Sequence, residues 1–234
     1  MLVEVSLVSL YTGCLCLDRR AVGQTMVSQP LVAVAGLGWW FGYLELSLIM
    51  GSILQLLWMG SSLYGANIPQ NETLASATAA GSLFISMRYG YAQHEASWIL
   101  AVMFTAPTAF LCKKAQEWLD RYSSGFSQKA DERVAKTSPA RLGSLVLMSL
   151  LAAFLVHTLI AFAAIFVTLG GLYMLEGVHA MYLVESLGLV AWFILPSLAL
   201  AVSIALIRRR LHLVFFVAAF VVVVGLLHNV RGGL

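Results

Sequence analysis

Between Gln24 and Ser76 the chain stays apolar without ever forming one clean bilayer span. A span needs roughly 20 uninterrupted apolar residues. Here the run is broken by Gly36, Gly38, Gly42, Gly51, Gly60 and Gly65, and it carries Glu45, Gln55 and the turn Asn67-Ile68-Pro69-Gln70-Asn71-Glu72 at or near membrane depth. An unpaired polar group in hydrocarbon costs roughly several kcal/mol. A chain that keeps such groups there has a water-lined cavity or a solute for them. The pattern predicts a broken helical segment around a polar site. Composition excludes a soluble setting, since 60% of the 234 residues are hydrophobic and 11% charged, against about 25% charged in soluble domains. The expected fold is an all-α integral membrane protein, a multi-span helical bundle with a broken, re-entrant helical hairpin in its N-terminal half.

Charge orders the remainder. Seven of the fourteen Lys and Arg lie between Lys113 and Arg141, and three more form Arg208-Arg209-Arg210. Basic clusters beside spans mark cytoplasmic loops, not a nucleic-acid surface. Three divisions follow: N-terminal spans with the hairpin over 1–112, a basic cytoplasmic loop over 113–141, and C-terminal spans over 142–234. Residues 1–17 read as a retained first span, because its charge, Asp18-Arg19-Arg20, follows the apolar run where a secretory signal would carry it in front. Pro30 opens the next helix and disfavours helix at Gln29. A span is expected over 31–50, and the short pieces 51–64 and 74–90 are expected to turn back as the re-entrant hairpin. Gly38 and Gly42 share one helix face, where they either admit another helix closely or let their own helix unwind. Ser97–Cys112 crosses inward. The loop that follows is either a helix along the membrane surface or an extension of the preceding span. Residues 143–172 and 180–207 are further spans, interrupted by His157 and by Glu185 and Pro196.

Catalytic chemistry finds no footing in these residues. There is no nucleophile elbow, zinc spacing or phosphate-binding glycine loop, and Cys14, Cys16 and Cys112 read as small apolar fillers. No cofactor and no metal are expected. His157, inside a span, faces either a helix partner or a cavity. Binding of a neutral polyol is better served. Sugar hydroxyls both donate and accept, so amides and carboxylates suit them, with an aromatic wall against the ring. Gln24, Gln29, Gln55, Asn67, Gln70, Asn71 and Glu72 supply the polar groups. Trp58, three residues after Gln55 and on its face, supplies a wall, as do Trp39, Trp40 and Tyr64; Trp39-Trp40 equally suit an interfacial belt.

Leu17-Asp18-Arg19-Arg20, Gln24–Val32, Gly51 with Leu54–Gly60, and Gly65–Ser76 fall in an order and spacing that resembles the membrane subunit IIC of the mannose/fructose/sorbose class of bacterial phosphotransferase systems. The resemblance implies a multi-pass permease subunit in the bacterial inner membrane that binds and translocates a hexose. It implies a IID membrane partner, a higher oligomer of IIC–IID pairs, contact with membrane lipid, and soluble IIA and IIB phosphocarriers. Phosphoryl transfer would fall to IIB, so this chain would not itself be the enzyme. By position, Gln24–Pro30, Gln55 and Ala66–Glu72 should line the sugar path. Family members usually carry an acidic residue at Gln55, Pro-Pro-Asp at Pro69-Gln70-Asn71 and often arginine at Gln29, so three charged positions have become amides here. Two other readings stay open: a degenerate sensor or regulatory scaffold without net transport, and an ion-coupled transporter titrating Glu45, Glu185 and His157.

Overall fold

A computed structural model of the chain describes residues 1–19, 23–59, 71–90, 96–103, 105–135, 142–176 and 196–200, with single positions at 202, 217 and 221. Among these residues the chain is helical and has no strand. Helix α1 covers Leu2–Asp18, α2 Pro30–Phe41, α3 Leu44–Trp58, α4 Glu72–Arg88, α5 Ala96–Met103, α6 Thr105–Ala135 and α7 Leu142–Glu176. The stretches Ser97–Phe126 and Gly143–Met174 are long and apolar enough to cross a membrane.

Helix α4 is the axis of the bundle and touches each of the other six. Its residues Thr73–Ser86 are all buried. The sequence allows this because small side chains let neighbours come close, and three of its hydroxyls are satisfied by its own backbone. Thr78 donates to Leu74 O at 2.8 Å, Ser82 to Thr78 O at 2.8 Å and Ser86 to Leu83 O at 2.8 Å, a habit of serine and threonine inside helices. Helix α1 runs antiparallel to α4, tied at one end by Glu4–Arg88 (3.2 Å) and at the other by Arg19–Glu72 (3.2 Å).

The expected span over 31–50 is not continuous. Gly42 adopts φ +82°, closing α2, and Tyr43 N–H returns to Gly38 O at 2.8 Å. A left-handed residue at this place is free of strain only for glycine. Phe41 and Tyr43 flank the turn and both pack on Phe84 of α4, with ring centroids 6.3 and 5.8 Å away. The tip of the hairpin is therefore pinned in the core. Its two open ends meet again where Leu31 N–H donates to Gln55 Oε1 at 3.3 Å. The broken hairpin of the N-terminal half is α2–α3, over 30–58, and not the pieces 51–64 and 74–90. The latter forms α4, which crosses the bundle.

The paired glycines have different tasks, and the unwinding falls at the hairpin's tip rather than beside Gln55. A Cβ on Gly38 would lie 2.1 Å from Ser47 Cβ on α3, so Gly38 is a close approach, while Gly42 is where the helix unwinds. Helices α2 and α3 return to the end the chain entered from, α4 runs to the opposite end, and the stretch Ser97–Phe126 runs back. Beyond Cys112 the chain continues α6 without a break to Ala135, as an extension of the preceding helix. It runs antiparallel to α7, with Ser123 Oγ and Ser149 Oγ 2.9 Å apart.

Candidate functional site

Four helix ends meet at one end of the bundle: the C-termini of α1 and α3 and the N-termini of α2 and α4. Helix ends expose unsatisfied N–H and C=O groups, and here they are satisfied by side chains from other elements. Asp18, just past the first apolar run, holds the connector to α2. Thr25 donates to Asp18 Oδ1 through its N–H (3.0 Å) and its hydroxyl (2.8 Å), and Ser28 N–H donates to Oδ2 at 3.3 Å. The same bonds hold the Asp18 carboxyl below its usual pKa, the backbone N–H of Thr25 contributing most. Within that connector Gln24 (φ +50°) and Met26 (φ +64°) sit in the left-handed region, which costs a non-glycine residue about 1–3 kcal/mol. From the other side, Thr73 Oγ1 donates to Ser28 O.

Gln55 lends its carbonyl oxygen to Leu31 N–H in the first turn of α2. Asn71 is the N-cap of α4, accepting from Leu74 N–H at 3.1 Å, and its Nδ2 reaches Cys16 Sγ at 3.5 Å. Glu72 and Arg19 form the ion pair closing α1 onto α4, both side chains mostly buried. Nη1 of Arg19 is buried and makes no hydrogen bond among the described residues. Beneath this polar layer Cys16, Leu74 and Cys112 form a small apolar cluster with Ile160.

Of the side chains singled out in the sequence, Gln55, Trp58, Asn71 and Glu72 lie at this end and are half-buried or buried. Gln24 and Gln29 lie there too but are exposed, Gln29 as the N-cap of α2. Asn67, Gln70 and Tyr64 fall outside the described residues, as does Glu185. Trp39 and Trp40 are exposed near the hairpin's tip, at the far end of α2 from Gln55, so they wall no part of this cluster. Glu45 is also exposed near the tip, and His157 lies 2.6 Å through Nδ1 from Ala153 O of its own helix.

Asp18, Arg19, Ser28 and Thr73 belong to the cluster and were not picked out as site residues. Asp18 and Arg19 read in the sequence as topological charge, and only the antiparallel packing of α1 and α4 brings Arg19 to Glu72. Their place within the family-like segments was the available signal.

Long apolar helices, a broken hairpin and a polar layer of joined helix ends define a helical membrane protein with one polar end. The chain matches the family described as the PTS system sorbose-specific IIC component over residues 2–232, and it belongs to that family, the membrane transport component of a sugar phosphotransferase system. No curated protein matches it closely enough to add a relative.

Proposed function

We propose that the chain is the sugar-translocating subunit of its phosphotransferase system, multi-pass in the bacterial inner membrane, with its hexose site at the polar end built by Arg19, Gln29, Gln55, Asn71 and Glu72. One observation carries this reading. Two charged groups and three amides are gathered where a re-entrant hairpin opens, and four helix ends of the bundle hold them. Gln55 uses only its carbonyl oxygen on Leu31, leaving two N–H donors for a hydroxyl. Arg19 has donors to spare through Nη1, which makes no hydrogen bond among the described residues. Gln70 and Asn67 would complete the site from the 60–70 segment, which joins α3 to α4 at this same end, and Gln24 would flank its mouth. Trp58 is the aromatic nearest in sequence to Gln55 and would cover the ring.

The hexose would be of the mannose, fructose or sorbose type. A IID subunit would pair with this chain in a larger assembly, and the soluble IIA and IIB proteins would approach 113–141 and supply the phosphoryl group. The sensor reading draws on a different fact: Gln55 and Asn71 already have structural work as helix caps, and the family resemblance implies charge where these neutral amides stand.

Labelled-hexose uptake and phosphorylation in vesicles containing the chain with its IID partner separates the two. Glu72→Gln and Asn71→Ala should each cut uptake by at least about tenfold at unchanged expression, a loss of roughly 1.4 kcal/mol or more. Gln55→Glu keeps an oxygen that can cap α2 but loses both N–H donors, and should also cut uptake, whereas Glu4→Gln, at the opposite end, should behave as the parent. Uptake by Glu72→Gln and Asn71→Ala equal to the parent's would move the site elsewhere. Sugar binding by the parent without uptake would favour the sensor.

A further inference from the structure

Helices α6 and α7 part slightly along their length and leave an apolar groove of about 270 Å³, lined by Pro107, Thr108 and Leu111 from α6 and by Ile160, Ala164 and Val167 from α7. Alanine on α7 and proline on α6 account for the gap, since neither side chain reaches far enough to fill it. The groove is dry in character. Thr168, at its edge, turns its hydroxyl back to Ala164 O at 2.8 Å and offers nothing to a polar ligand. Its rim is open to the bilayer, because Leu111 and Val167 are among the most exposed apolar side chains of the two helices. The volume lies below the ~300 Å³ at which small-molecule pockets begin, so a slender flexible chain suits it better than a ring.

Charge identifies the other end of the occupant. Pro107, Leu111 and Lys114 follow at helical spacings of four and three, which places Lys114 on the groove's face of α6, one turn beyond its end. Lys113 adjoins it. Lys114 is exposed and holds Glu117 at 3.1 Å, an exposed pair of a kind worth little and easily exchanged for a phosphate. Lysine at the end of an apolar span meets the anionic headgroup layer. We propose that the α6–α7 groove binds one anionic phospholipid, with an acyl chain in the slot and its phosphate on Lys114 and Lys113. The lipid would stiffen the contact by which the long α6–α7 pair leans on the bundle. This inference stands apart from the sugar site, none of whose residues it uses.

The test is native mass spectrometry of the full chain released from nanodiscs of phosphatidylglycerol or of phosphatidylcholine. The parent should retain one phosphatidylglycerol at least about tenfold more often than phosphatidylcholine. Ala164→Leu, which fills the slot, should abolish retention of both lipids. Lys113→Gln with Lys114→Gln should erase the preference while leaving the helices packed, as circular dichroism and thermal midpoint would show. Equal retention of the two lipids by the parent, or retention unchanged in Ala164→Leu, overturns the proposal. So does a change of oligomeric state in Ala164→Leu without loss of lipid, since the groove would then seat a protein helix.

Discussion

Asp18 shows how one side chain at a helix end can set the shape of a loop. Its carboxylate accepts three hydrogen bonds from Thr25 and Ser28 and so holds Gln24 and Met26 in left-handed conformations they would not otherwise keep. Those bonds favour the charged form, so the folded pKa lies below the ordinary value of about 3.9. The sign follows from linkage. A depressed carboxyl contributes its restraint fully above the ordinary value and loses it only as pH falls through the lower folded-state value. A spin label at Gln24→Cys should therefore keep one mobility from pH 7 to pH 5 and loosen only below about pH 4. With Asp18→Ala added, the label should be mobile throughout. Loosening near pH 6 would assign the restraint to some other group. Arg19 and Glu72 act at the same scale, but their pairing joins helices far apart in sequence, so each loses a partner when the other is neutralised.

The α2–α3 hairpin owes its form to two glycines with different tasks. Gly42 supplies a backbone conformation, and Gly38 supplies space. A methyl group at Gly38 would overlap Ser47 Cβ at 2.1 Å and crowd Tyr43 O at 3.0 Å. Overpacking of this kind costs about 1–3 kcal/mol. Gly38→Ala should lower the thermal midpoint in detergent, and adding Ser47→Gly should recover most of the loss. Additive losses in the double variant would show that the clash lies elsewhere. The hairpin also explains why neither of its helices needs to be long: at about 1.5 Å per residue, the 12 residues of α2 rise only ~18 Å, short of a ~30 Å hydrocarbon core. A segment that enters and leaves at one end can carry polar groups such as Gln55 without exposing them to lipid.

Among the described residues, packing tightness is concentrated around α4, and the outer helices are loosely covered by them. Ala80 is fully buried in the main core, whereas Leu147 on α7 is 57% exposed. Ala80→Leu should destabilise by roughly 1–3 kcal/mol and reduce the folded fraction on size exclusion, while Leu147→Ala should shift stability by less than about 0.5 kcal/mol. Similar effects at both would contradict a structure organised about one central helix. Helix α7, at 35 residues, rises ~52 Å and outruns a bilayer. With α6 it forms an antiparallel pair reaching past the polar end, alongside which the soluble partners would work.

Apolar runs, charge clusters and family-like segments were enough to establish the membrane setting, the helical class and the family, because these depend on local composition and on spacing along the chain. The segments around Asp18, Gln55 and Asn71 also come together at one end of the molecule. What they could not reveal is where the hairpin breaks, since a glycine that admits a neighbour and one that ends a helix look alike until Ser47 and Phe84 are in place. Nor could they show that Gln55 caps α2, that Asn71 reaches Cys16, or that Arg19 meets Glu72. Those facts arise from contacts between residues 24 to 55 positions apart, and only the packing of α1, α2 and α3 around α4 decides them.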